Sequence, residues 1–206
     1  MAVVDASRLR DAAVLTIACH EIVECALGAA KGTADEAHSD GLDDVMKRVM
    51  WEEYVVERRR RTIFEAEGWG DSIIDHSHLN AVTDDYERDL PRLVRWAAVN
   101  DAVPYEVYGH WQLVTIEVAH ASARADAGFS PERSEIDTFL ARPWSPATAA
   151  AWRSARDLLP RLYKQPDAAT DDLDAQVISG AWRPISDALA EDYNVLYDRA
   201  ARDQPV

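Results

Sequence analysis

The stretch Val107-Tyr108-Gly109-His110-Trp111-Gln112-Leu113-Val114-Thr115-Ile116-Glu117-Val118-Ala119-His120-Ala121-Ser122 decides how the rest of the chain is read. It is apolar on nearly every side of a helix, and only His110, Glu117 and His120 within it can titrate near neutral pH. Such a helix belongs in a protein interior, where a carboxylate must be paired, metal-bound or protonated. Glu117 and His120 stand three residues apart, which puts both on one helix face within reach of a common ligand. Glu-x-x-His is the unit from which helical bundles build di-metal sites.

Bulk properties narrow the classes. A chain of 206 residues suits one domain with a core of its own, and no disulfide or structural metal is needed to hold it. Lys and Arg number 22 against 37 Asp and Glu, a net charge of −15, so the phosphate-neutralising surface that nucleic acid or an anionic membrane requires is missing. Cys19 and Cys25, six apart in one expected helix, cannot bridge each other and read as reduced core thiols. The beginning Met1-Ala2-Val3-Val4-Asp5 is acidic where a secretion signal is basic, and no charge-free apolar run reaches the ~18 residues of a membrane span. A cytoplasmic protein is expected.

Outward from the central stretch the periodicity is helical throughout. Residues 7–30 predict a second apolar helix with His20, Glu21 and Glu24 midway, closed by Lys31-Gly32. A connection rich in Asp and Gly leads to a long helix over residues 42–67, ended by Gly68-Trp69-Gly70. Asp71-Ser72 caps a segment carrying Asp75, His76 and His78, and Pro91 opens or bends the helix through Trp96. Beyond Gly128, Ser130-Pro131 starts another helix, Pro143 and Pro146 bracket a break, residues 147–164 are alanine-rich and helical, and Pro184 kinks or restarts a last region ending near residue 202. No alternating strand pattern occurs. The expected fold is an all-α single-domain bundle of about seven helices over residues 1–206. All six histidines precede residue 121, so residues 1–128 are expected to bear the site, and residues 129–206 to supply packing, a lid or a homodimer surface.

Four helices then offer carboxylates, three of them with imidazole one turn away: His20 with Glu24, Glu53 with Glu57, Asp75 with His78, and Glu117 with His120. Carboxylate oxygens with neutral imidazole nitrogens suit iron or manganese, and two such ions in a bundle core bind and activate dioxygen. His110 and Tyr108 are the candidate catalytic groups beside that set, and Trp111 a wall for a small substrate. Each pair also has a structural reading. Glu53 and Glu57, followed by Arg58-Arg59-Arg60-Arg61, resemble a charged helix face in water, and the arginines are expected to pair with neighbouring acids at the surface. The other pairs can be internal hydrogen bonds.

On these residues the chain resembles the non-haem di-iron carboxylate proteins, both ferritin-like and haem-oxygenase-like. That resemblance implies an iron-dependent oxidase or oxygenase acting on a small, partly apolar molecule. The ligand order departs from both groups: the long helix has no Glu-x-x-His, Asp75 replaces a glutamate, and Leu113 stands where haem-oxygenase-like enzymes carry a histidine. A competing resemblance is to the all-α nucleotide pyrophosphohydrolases, through Glu21-x-x-Glu24 followed by Asp40, Asp43 and Asp44, which implies magnesium. A third expectation has no chemistry: an acidic helical interaction protein whose buried polar groups specify packing.

Overall fold

The computed structural model describes residues 42–66, 78–128, 130–164 and 176–203. Within them the chain is helical with no strand: α1 (Leu42–Ala66), α2 (Leu79–Asn100), α3 (Tyr105–Asp126), α4 (Ser130–Leu140), α5 (Pro146–Tyr163), a π-helical turn (Ile178–Trp182) and α6 (Arg183–Arg202). About seven helices were expected. Six α-helices and the π-turn stand among the described residues, and the helix expected over residues 7–30 lies outside them.

The central position expected for the Val107–Ser122 stretch is where α3 sits, against α1, α2, α4 and α5. Its C-terminal half explains how it accommodates several neighbours: Ala119, Ala121, Ser122, Ala123 and Ala125 are all buried, and their small side chains let the surrounding helices close in from several directions. The N-terminal half is less enclosed than its composition suggests, with Leu113 half exposed and Tyr105 82% exposed. α1 runs parallel to α3, since Glu53 meets His120 and Glu57 meets Arg124, both partners advancing by four.

Proline and capping chemistry account for the boundaries. Pro91 neither opens nor ends α2, which runs through it from Leu79 to Asn100 and stops at Asp101 in the left-handed conformation (φ 50°), a region aspartate tolerates better than most residues. Ser145 caps α5 by accepting the Thr148 amide at 3.2 Å, with Pro146 in the first turn. Pro184 marks a new start, and the π-turn runs directly into α6. Gly180 in that turn lets Leu158 approach closely: a Cβ there would stand 2.8 Å from Leu158 Cδ2.

The C-terminal helices do more than cover a site. Phe139, Trp152, Leu159, Trp182 and Ile185 are each at most 1% exposed and belong to the same core as Met50, Tyr54 and Val114. Arg142, after α4, ties that part to α2 through Asp84 (2.6 Å), Glu87 (3.0 Å) and the Asn80 carbonyl (3.1 Å). None of the helices among the described residues is long and apolar enough to cross a membrane.

Candidate functional site

Two rungs join α1 to α3. His120 Nε2 lies 2.8 Å from Glu53 Oε2, and one turn further along both helices Arg124 Nε donates to Glu57 Oε1 at 2.7 Å. The spacing follows from the sequence, because Glu53 and Glu57 share a face of α1 as His120 and Arg124 share a face of α3. The two rungs differ in burial. His120 and Glu53 retain 18% and 24% side-chain exposure, whereas Glu57 keeps 1%. Glu53 and His120 each make a further interaction besides this one.

Glu57 is the electrostatic anchor. Arg60 Nη2 donates to it at 2.6 Å and Arg61 Nε at 3.2 Å, so three guanidiniums converge on one carboxylate. Burial alone would raise this carboxyl, but the charge of Arg124, the hydrogen bond and charge of Arg60, and the nearby His120 outweigh it and hold the group down to about 2. A carboxylate so neutralised has no electrostatic need of a metal ion. The arginine run therefore differs from a surface-pairing stripe: Arg60 and Arg61 are buried, Arg58 is half buried over the Tyr163 ring, and Arg59 is exposed. Four consecutive residues cover a full helical turn, so an α1 packed on two sides must bring some of them inside.

Glu117 and His120 share a helix and reach toward different neighbours, α2 and α1. Glu117 Oε2 accepts the backbone N–H of His78 at 3.2 Å, placing its negative charge at the N-terminus of α2, where unpaired amides and the helix dipole favour it. His78 itself occupies the N-cap position of α2, and Asp75, its expected partner, lies outside the described residues. His110 lies 3.7 Å from Asp89 and beside the Tyr86 ring, and Tyr108 meets the Trp111 ring edge to face. At 1.5 Å per residue, His110 and Tyr108 stand about 15 and 18 Å along α3 from His120, a separation that removes them from any site His120 forms. Trp111 is buried in the core, donating to the Tyr86 hydroxyl at 3.3 Å. Burial pushes that phenol up to about 12, with the Trp111 hydrogen bond opposing it and Asp192 and Glu87 adding to it.

Of the expected ligands, His20, Glu24 and Asp75 lie outside the described residues, as do Glu21 and Asp40 of the magnesium set, whose Asp43 and Asp44 fall in the first turn of α1. The structure brings together Glu53 and His120, with Glu57 one turn beyond in its arginine cage. The donor types fit a divalent transition ion. In number they fall short, since no group of three or more His, Cys, Asp or Glu side chains able to hold a metal occurs among the described residues.

A second polar centre was not legible in the sequence. Tyr54 donates to Asp126 Oδ2 at 2.8 Å while Arg156 binds both oxygens of the same carboxylate at 3.1 and 2.7 Å, joining α1, α3 and α5. Burial first, and then the hydrogen bond and charge of Asp126, push the Tyr54 phenol far above its ordinary range. Arg124 was also missed. The available signal was a lone arginine in the alanine-rich run 119–127, where a long cation has no helical neighbour to serve and must reach across to another element. No family model, curated protein or solved structure matches the chain, so the reading of this site rests on its own geometry.

Proposed function

We propose that the protein is a metal-dependent oxidoreductase, an iron or manganese oxidase or oxygenase of a small, partly apolar molecule, with Glu53 and His120 as the ligands supplied by α1 and α3. The observation that carries this reading is the 2.8 Å approach of a carboxylate and an imidazole from two neighbouring helices, partly accessible and beside a rigid buried anchor. Once bound, the ion would supply dioxygen activation. The chain's own contribution is positional. The Arg124–Glu57 rung fixes the register of α1 on α3, and that register holds the Glu53 and His120 donor atoms at one point. A cation entering there would take the place of the hydrogen bond between these two groups. Glu24, Asp75 and His20 remain the expected further donors.

A second reading is favoured by a specific observation, the absence of three converging ligands among the described residues. In it the same pairs serve only to register the helices of an acidic interaction protein. Thermal unfolding with and without chelator separates the two. On the metal reading, chelation lowers the wild-type midpoint by roughly 5–10 °C, as expected for losing a ligand present at about 100 times its Kd, and leaves His120→Ala unmoved. A wild-type midpoint indifferent to chelator and to added iron or manganese, with His120→Ala shifted equally in every condition, supports the packing reading instead.

A further inference from the structure

The surface is dominated by acid, yet one helix face departs from that. Arg92, Arg95, Trp96 and Val99 lie at i, i+3, i+4 and i+7 on the second half of α2, all exposed, with Trp96 at 49% and Val99 at 67%. Neither arginine has an ion-pair partner among the described residues. Val103 and Tyr105 continue the apolar patch around the end of the helix. Trp, Tyr and Arg are the side chains that most often dominate protein–protein binding energy. The apolar part amounts to on the order of 400 Å², about half of one partner's share of a standard interface, and the arginine stems beside it extend the footprint.

Elsewhere on the molecule lies a shallow apolar depression edged by the opposite charge. Between α5 and α6 runs a groove of about 380 Å³, walled by Ala147, Ala151, Pro184 and Ala188 and edged by Asp187 and Glu191. Both acids are exposed, and neither has an ion-pair partner among the described residues. Their separation along α6, about 6 Å, is close to the ~4.5 Å between Arg92 and Arg95, a difference that flexible arginine side chains absorb.

We propose that the protein associates with itself head to tail: Trp96 and Val99 of one copy seat in the α5–α6 groove of a second copy, with Arg92 and Arg95 against Asp187 and Glu191. Face and groove share no residue, so the contact is heterologous. Each added copy presents a new free face or groove, and assembly continues until a ring closes or a chain extends. The net charge of −15 sets a general repulsion between copies, which the two arginines of this face offset locally.

The test is sedimentation of the full chain across the micromolar range. The expected result is a weight-average mass that rises with concentration past twice the 23.0 kDa of one chain. Trp96→Ala should stay at the mass of one chain, as should the paired variants Arg92→Glu with Arg95→Glu and Asp187→Arg with Glu191→Arg, each alone. Mixing the two charge-reversed variants in equal parts restores complementary faces and should restore the wild-type mass, which also shows that both variants are folded. A wild type that remains a single chain throughout, variants that associate like the wild type, or a mixture that fails to reassemble would each overturn the proposal.

Discussion

Replacing Glu57 with alanine is expected to lower stability by about 3 kcal/mol, a fall in melting temperature of roughly 6–12 °C for a chain of this size. The side chain is 1% exposed and is where Arg60, Arg61 and Arg124 converge. Each arginine keeps its other contacts, but the three are left facing one another in a poorly solvated place without the charge that joins them. Glu57→Gln retains the shape and one acceptor yet removes the charge, so most of the loss should remain. The pH dependence carries a sign. Because the folded carboxyl is held down to about 2 from an ordinary value near 4.5, its stabilisation is fully present above about pH 4.5 and is lost as the pH falls toward 2. Urea unfolding of the wild type should therefore show an acid limb in that window, and Glu57→Gln should flatten it. A variant with an unchanged melting temperature and an unchanged acid limb would show that this carboxylate does not hold the arginine cluster together.

Trp152→Ala is the second large effect, with an expected loss of about 3–5 kcal/mol. The indole is 1% exposed, meets Phe139 edge to face with ring centroids 5.3 Å apart, and joins α5 to α4. Removing it opens a cavity where neighbours cannot fully collapse, because residues on α4 and α6 are themselves packed against other helices. Its indole N–H has no acceptor among the described residues. Trp152→Phe should thus stay within about 1 kcal/mol of the wild type, since the lost packing is offset by removal of an unsatisfied buried donor. Denaturant midpoints at unchanged m-value measure both variants. A loss for Trp152→Phe as large as that for Trp152→Ala would mean that the N–H does have a partner.

The helical class and most boundaries were legible because they depend on local chemistry. Ser145-Pro146 starts α5 through a cap and a fixed φ, and the largely apolar content of residues 107–122 correctly places α3 at the centre of the described helices. What could not be read locally was direction. Glu117 and His120 are neighbours on one face, yet a 60° difference around the axis sends one to the N-terminus of α2 and the other to α1. The arginine run posed the same difficulty, because helical periodicity cannot rank four adjacent long cations by burial until the partner for Glu57 on α3 is known. Pro91, expected to open or bend its helix, lies inside α2 instead of opening it: exposed there, it sacrifices one backbone hydrogen bond where water can compensate, and packing of Tyr86, Leu93 and Val94 carries the helix through it. The π-turn at residues 178–182 has no compositional signature, and within it Gly180 packs closely on Leu158 of α5.

Metal binding by Glu53 and His120, as we propose it, can be measured by elemental analysis of protein produced with iron and manganese supplementation and purified without chelator. The expected result is a substantial fraction of an equivalent of iron or manganese per chain in the wild type, and its loss in both Glu53→Ala and His120→Ala while each variant remains folded by circular dichroism. Less than about a tenth of an equivalent of any transition metal in the wild type, or a full complement retained in the two variants, would contradict it.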